Sequence, residues 1–427
     1  MAIRTHFGSD SDGQATEEIR YGSTTRRHRR NVASCVQSPV PTDGDGPTVP
    51  PAAAFLCATR VTADMATRSA TWAYRDRFHE RFARAYFRRF GDRLVSSVGV
   101  GTYLGEATDA ADERYHEAVV EALDSGVNVV DTAVNYRHQR SERVVGRAVE
   151  AADVDREAVV LATKGGFIPF DGERPRDAAA YIESEYVAPG IVDADDLVSG
   201  NAITPEFIEW SLERSLSNLG VDSVDLYYVH NPEAQLARFD RETVYDRLED
   251  TFTRLEKRAA AGDIGHYGVA TWEAFRVPRG HDRYLSLPEV VSRARAAADR
   301  AGATGTHFRA VQLPFNVHMA DAFTLSVHES ADGTQSALRF ANEAGLDVFA
   351  SAPILQGDLA EPGGMPAVVE AELAGDTPAQ RAINFARSAP GVTAALVGTG
   401  SPEHVAENVG AGEHPPMGAD AFDAVFE

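Results

Sequence analysis

Lysine is almost absent from this chain of 427 residues: only Lys164 and Lys257 carry an ammonium, and the other basic residues are arginine. Cysteine is as scarce, with Cys35 and Cys57 both inside the first 64 residues, so disulfides have no part in folding the remainder. No apolar run approaches the roughly 18 residues needed to span a bilayer. Cys and His clusters at metal-ligand spacing are missing, and no Ser-His-Asp arrangement has supporting context, which ranks metal and acyl-transfer chemistry low. Positive charge is outnumbered, 41 basic against 64 acidic residues, and the formal net charge of -23 argues against nucleic acid or an anionic membrane as partner. These absences are those of a soluble globular protein, expected in the cytoplasm.

An acidic, lysine-poor composition resembles that of proteins from salt-loving organisms. It also singles out Lys164, which stands at the end of an apolar strand, where a solvated ammonium has no reason to be. The charge is uneven. Residues 1–64 hold seven arginines and seven acids, so the whole -23 falls on the rest. That leader has no period-2 or period-3.6 pattern and is expected to be a dispensable, low-order extension or a mis-assigned start. Its cluster Arg26-Arg27-His28-Arg29-Arg30 suggests an export signal, but the residues that follow are too polar and too short for one. Over 65–90, Tyr74, Phe78, Phe82 and Tyr86 recur every fourth residue among arginines, which predicts a basic amphipathic helix capping the following domain.

From residue 91 to 427, strands and helices alternate. Strands are expected at 95–100, 127–130, 159–163, 224–229, 264–270, 308–313, 346–351 and 393–397. Helices are expected at 112–125, 141–151, 205–218, 241–261, 288–300, 334–344, 377–388 and 402–409. Continuous apolar strands alternating with helices imply a parallel sheet, and eight units imply a closed (β/α)8 TIM barrel, an α/β fold, in one domain. Gly99-Val-Gly101-Thr-Tyr-Leu-Gly105 follows a strand but lacks both the spacing and the immediate helix of a dinucleotide fingerprint, so a Rossmann site is rejected.

Chemistry collects at the C-terminal strand ends. Asp131 closes the second strand, Tyr136 lies five residues on, Lys164 ends the third and His230 the fourth. Tyrosine titrates near 10, and a nearby ammonium favours its phenolate; Lys164 is therefore expected to lower Tyr136. Asp131 would hold Lys164 charged, and His230 would hydrogen-bond a substrate oxygen. Singly these residues also read as a strand-end cap, a loop aromatic and a core histidine. At Gly398 to Ser401 a glycine-bearing loop leads into a helix with Ser401 as N-cap and Pro402 in the first turn, an arrangement suited to phosphate or to plain capping.

Gly101-Thr102-Tyr103, Asp131-Thr132-Ala133-x-x-Tyr136, Ala162-Thr163-Lys164, Val229-His230, Gln312-x-x-Phe315-Asn316 and Gly398-Thr-Gly-Ser-Pro-Glu-His404-Val-Ala-Glu407-Asn408 resemble the aldo-keto reductase family over about residues 84–412. The resemblance implies an NAD(P)-dependent oxidoreductase with catalytic Asp131, Tyr136, Lys164 and His230, in which a nicotinamide delivers hydride to a carbonyl that Tyr136 protonates. It implies Thr102, Gln312, Ile354, Gly357, Gly398, Thr399, Ser401, His404, Glu407 and Asn408 as cofactor contacts, with NADP(H) the first expectation and NAD(H) the second. The substrate would be the carbonyl or alcohol of an aldehyde, ketone or sugar; a non-catalytic, redox-sensing nicotinamide-binding subunit is the alternative. Gly398 and His404 stand where the family often has lysine and arginine for the 2′-phosphate. Ala270-Thr271 replaces the Ser-Asn that holds the carboxamide, and Ser351 replaces an aromatic. An insertion at 165–201 is expected either to shape the substrate pocket or to form a solvated loop.

Overall fold

The computed structural model describes residues 65–331 and 333–426; the leader at 1–64 lies outside the described residues. Eight parallel strands, Val98–Gly101, Val129–Asp131, Val160–Gly165, Val224–His230, Ile264–Ala270, Phe308–Pro314, Asp347–Ser351 and Val392–Gly398, close into a barrel. This is the expected (β/α)8 fold, and most of the outer helices lie within two residues of the periodicity reading. The helix Asp109–Asp124 starts where the Thr108 hydroxyl accepts from the Ala111 amide, carries Asp109 and Asp112 in its positive first turn, and buries Ala111, Tyr115, Ala118, Val119, Ala122 and Leu123 against the strands. The helix Arg241–Ala261 is capped by Asp240 and stopped by Gly262 at φ 90°.

Because side chains alternate along a strand, every second residue faces the barrel interior. Val129, Val160, Ala162, Leu226, Tyr228, Ala270, Ala310, Phe349, Ala394 and Leu396 form that interior cluster. Continuing the same parity upward leads from Val129 to Asp131, from Ala162 to Lys164, from Tyr228 to His230 and from Ala310 to Gln312. Four polar side chains thus become the last inward layer at the C-terminal end.

The N-terminal end is closed differently from the expected long helix. The helix runs only from Arg68 to Phe78, and Phe87–Phe90 pairs with Arg93–Ser96 in an antiparallel hairpin. Ala85, at φ 69°, turns the chain, and Phe90 enters the barrel floor with its ring 5.8 Å from Phe349 and 5.6 Å from His266. Filling that floor outweighs continuing the helix. The fourfold aromatic spacing still serves packing, since the rings of Phe82 and Tyr86 stack at 3.8 Å. Further departures are a hairpin at His328–Ser330 and Gly333–Gln335 in place of the start of a helix, and a final helix Ala419–Ala424 that the sequence reading did not include.

The insertion folds on itself. Ile168, Ile182, Tyr186, Val192, Ala202 and Phe207 make a separate small core, and Phe167 bridges to Asn201. Arginine supplies the outer ion pairs: Arg293 alone meets Glu242, Asp246, Glu249 and Glu289. Lys257 is exposed, whereas Lys164 has no accessible surface.

Near the barrel floor, fully buried Asp225 accepts from the Ala66 amide at 2.7 Å, the Leu161 amide at 2.9 Å and Arg156 Nη2 at 3.0 Å. Asp225→Ala leaves both amides unpaired and takes the counter-charge from Arg156, which keeps only the Val159 and Ser223 carbonyls, and is expected to cost about 3–5 kcal/mol. Urea denaturation checks this; a loss below about 1 kcal/mol would show that the carboxylate does not tie the N-terminal segment to the barrel.

Candidate active site

Lys164 Nζ has three N–H donors and three acceptors: Asp131 Oδ1 at 2.5 Å, the Thr132 carbonyl at 2.9 Å and the Tyr136 hydroxyl at 3.3 Å. The strand Val160–Gly165 brings the lysine from one side and the strand Val129–Asp131 brings its counter-charge from the next. Only glycine can follow the lysine, because a Cβ at Gly165 would lie 2.2 Å from the Tyr227 hydroxyl. Burial opposes the ammonium most strongly, yet Asp131 and Tyr136 together raise Lys164 above its usual value. It therefore stays charged where an unpaired cation would not.

Tyr136 is aimed by an unusual turn. Arg137, His138 and Gln139 are all left-handed, at φ 46°, 59° and 70°, a backbone cost concentrated directly after the tyrosine. Arg137 is held there by the Glu106 carbonyl and Asp112, with its guanidinium 5.0 Å from the Tyr115 ring centroid. The expected lowering of Tyr136 is not what the environment produces: burial raises it, and the offset from Lys164 leaves it above the ordinary value. Asp131 also counts against the phenolate. Tyr136 is consequently a loaded proton donor at neutral pH.

The His230 ring lies 5.8 Å from Tyr136, between it and Phe167 of the insertion, whose ring is 5.1 Å away; Tyr103 closes the other side of Tyr136 at 5.0 Å. Asn201 Nδ2 fixes the His230 carbonyl at 3.0 Å. Burial, then the Lys164 charge, pushes His230 well below the usual histidine range, so the imidazole is neutral and offers one N–H. The insertion therefore supplies one wall of this site. Tyr103, Leu104 and Trp272, all more than a third exposed, stand on loops at the same end of the barrel.

Of the other expected residues, Thr102 and Gln312 join the cluster. Thr102 Oγ1 donates to the Asp131 carbonyl at 3.3 Å, and Gln312 Nε2 donates to Asp131 Oδ2 at 2.8 Å. Gly398 pairs with Gly101 in register, placing the following loop beside the first strand. Asn408 Nδ2 donates to Thr399 Oγ1 at 2.9 Å and braces that loop against its helix. Ile354 and Gly357, the latter at φ 110°, lie on the loop after the seventh strand. Ser401 takes the N-cap backbone position, but its side chain accepts no helix amide. Instead the Glu403 carboxylate, lowered by its own backbone N–H and then by the Ser401 hydroxyl, sits at that helix start, and Glu407 and exposed His404 follow. Tyr228, which the sequence reading passed over, reaches the cluster with a fully buried, unpartnered hydroxyl. Its place two residues before His230 was the available signal.

The cluster suits a polar guest. Thr271, 4% exposed, has an unpartnered buried hydroxyl, and its amide bonds the Gln312 carbonyl at 2.9 Å. Asn135 Oδ1, Thr132 Oγ1 and His230 Nδ1 are likewise buried and unpartnered. Such atoms are costly unless a ligand or water meets them. Among the described residues no group of three or more His, Cys, Asp or Glu is placed to hold a metal, and no helix is long and apolar enough to cross a membrane.

His230 gives the site a pH signature. The unfolded chain takes up this proton near pH 6.5, whereas the native ring refuses it until well below, so stability falls as pH drops through that window. Between pH 7 and 5 the wild type is expected to lose about 1–2 kcal/mol more than His230→Gln. Urea melts of both proteins measure the difference; parallel pH dependences would contradict a neutral, half-buried His230.

Known proteins resemble this chain in sequence and in fold. Residues 97–283 match the aldo/keto reductase family. A putative voltage-gated potassium channel subunit beta of Schizosaccharomyces pombe is 25% identical over 338 residues, covering 75% of this chain and 85% of that protein. The 2,5-diketo-D-gluconic acid reductase B of a Corynebacterium species is 32% identical over 180 residues, 42% of this chain and 47% of its own, so the match spans about half that enzyme. An aldo/keto reductase of Klebsiella pneumoniae, solved with NADP and acetate, superposes with a TM-score of 0.51 at 22% identity, covering 80% of this chain and 95% of the other. The segment that matches the aldo/keto reductase family carries Asp131, Tyr136, Lys164 and His230.

Proposed function

We propose that this protein is an NAD(P)-dependent oxidoreductase acting on the carbonyl or alcohol of an aldehyde, ketone or sugar, with Tyr136 as general acid and base. The observation that carries this is the Tyr136 hydroxyl as the third acceptor of a buried, charged Lys164, with a neutral His230 ring beside it. When bound, the nicotinamide supplies or takes the hydride. Thr102 and Thr271 would meet its nicotinamide end. Ile354, Gly357, Gly398, Thr399, Ser401, His404, Glu407 and Asn408 would meet the phosphates and adenosine.

His230 donates a hydrogen bond to the substrate oxygen and orients it towards the phenol. Tyr136 gives its proton to that oxygen as negative charge develops there. The phenolate left behind is stabilised by Lys164, whose ammonium is held by Asp131 throughout. A tyrosine raised above its usual value is protonated at neutral pH, so the reductive direction is the one for which the site is loaded. NADP(H) is the preferred cofactor, in keeping with the NADP bound by the Klebsiella protein. NAD(H) is the second choice, because exposed His404 and Gly398 present no permanent cation for a 2′-phosphate.

The other reading, a redox-sensing nicotinamide-binding subunit without turnover, is favoured by the match to the yeast channel-subunit protein. One experiment separates the two. Wild type and Tyr136→Phe are titrated with NADPH and NADH by protein fluorescence quenching, then assayed on aldehydes, ketones and sugars in concentrated salt. Loss of the proton donor is expected to lower kcat by at least about a hundredfold with cofactor affinity unchanged. Equal kcat in both proteins would overturn the role of Tyr136; tight cofactor binding without wild-type turnover would favour the sensor.

A further inference from the structure

The insertion begins and ends at His230. Gly166, at φ 145°, lies so close that a Cβ there would stand 2.8 Å from the His230 carbonyl oxygen, and the Phe167 ring meets the imidazole nearly at right angles at 5.1 Å. At the other end the chain turns back through left-handed Ser199 and Gly200, at φ 50° and 76°, and Asn201 pairs with Phe167. The Ile168 amide donates to the Gly200 carbonyl and the Ala202 amide to the Gly166 carbonyl, both at 2.8 Å, so the two ends form one short antiparallel ladder. We propose that Asn201 is a positioning residue for substrate: by fastening this ladder to the His230 main chain it sets Phe167 as the specificity-determining wall beside the imidazole. This rests on the reading of His230 and Tyr136 as the carbonyl site.

Asn201 has no accessible surface, and both polar atoms of its side chain are bonded. Nδ2 donates to the His230 carbonyl at 3.0 Å, and Oδ1 accepts at 3.0 Å from Gln235 Nε2, which also donates to the Asn201 carbonyl at 2.8 Å. Asparagine suits the task because one short arm carries a donor and an acceptor. Gln235 Oε1 accepts in turn from Arg247 Nη1 at 3.3 Å, and Arg247 Nη2 bonds Asp196 Oδ1 of the insertion at 2.7 Å. The insertion is thus tied twice, directly to the end of the fourth strand and again through the helix Arg241–Ala261 that carries Arg247. Such ties are needed because returning the end of a long loop to its start costs entropy, which nothing else in the loop's length offsets. His230 is held separately from its far side, where the Asn231 amide donates to the Ala270 carbonyl at 2.7 Å. The strand end therefore stays in place when Asn201 is lost, and the part that moves is Phe167. A displacement of about 1 Å at that wall is enough to weaken the hold on a carbonyl substituent.

A double-mutant cycle tests it, with wild type, Asn201→Asp, Phe167→Ala and the two combined, each saturated with NADPH and assayed on 4-nitrobenzaldehyde. Aspartate keeps the size and the acceptor for Gln235 but turns a carboxylate oxygen on the His230 carbonyl. Each single variant is expected to raise KM for the aldehyde about tenfold, with kcat and the NADPH affinity read by fluorescence quenching within about threefold of wild type. Because Asn201 acts through Phe167, the double variant raises KM no more than about twofold beyond the worse single one. Increases that multiply to about a hundredfold, or a lowered Tm with KM unmoved, would overturn the proposal and leave Asn201 a merely structural residue. Should Asn201→Asp not fold, Asn201→Ser, neutral and smaller, takes its place in the cycle. A second readout needs no turnover: in NMR spectra of protein with isotope-labelled histidine, the His230 ring resonance, identified by its loss in His230→Gln, carries the ring-current shift of Phe167. Phe167→Ala and Asn201→Asp are expected to move it in the same direction. Should the wild type turn over no carbonyl, the functional reading fails, while an unmoved resonance in Asn201→Asp would still overturn the role of Asn201 and a shared movement would still support it.

Discussion

A lysine with no accessible surface is the constraint on which this site depends. An ammonium taken out of water is tolerated only if each N–H finds an acceptor and a counter-charge lies close. Asp131, the Thr132 carbonyl and the Tyr136 hydroxyl are those acceptors, so the requirement that Lys164 be satisfied is also what places the tyrosine. The barrel meets the requirement through parity: alternate residues of four strands turn inward, and the last inward positions are Asp131, Lys164, His230 and Gln312. The left-handed run from Arg137 to Gln139 completes it by returning Tyr136 over the lysine.

Electrostatics then divide the labour. The same burial that endangers Lys164 keeps His230 neutral and Tyr136 protonated. One group can thus donate a hydrogen bond without bringing charge, the second can donate a proton, and the third can stabilise what remains. The surrounding surface is built on another principle, with arginine rather than lysine in multiple carboxylate pairs across the outer helices, as around Arg293. In a chain with two lysines, the placement of one of them at the heart of the barrel separates site from surface.

The barrel was legible because its signals are local and periodic: apolar strands, capped helices and eight repeats. The four polar strand-end residues were legible for the same reason, each following directly from a strand boundary. Elements decided by distant contacts were not. Phe82 and Tyr86 keep helical spacing yet leave the helix, because Phe90 has a barrel floor to fill, and no local pattern encodes that floor. The raised Tyr136 and the bond from Gln312 to Asp131 also depend on burial and on a partner 181 residues away, which spacing alone does not report. At Ser401, where a capping hydroxyl was expected, Glu403 turned back onto its own helix start, a competition between neighbours that sequence patterns leave open.

The central claim is that the buried Lys164 charge tunes Tyr136 for proton transfer. The direct measurement is the pH dependence of kcat for carbonyl reduction in wild type and Lys164→Met. Removing the ammonium takes away the strongest influence favouring the phenolate, so the alkaline limb is predicted to move to higher pH while the plateau rate falls. A Lys164→Met profile with the same apparent pKa as wild type would contradict the account, because the lysine would then not be the group that sets the tyrosine.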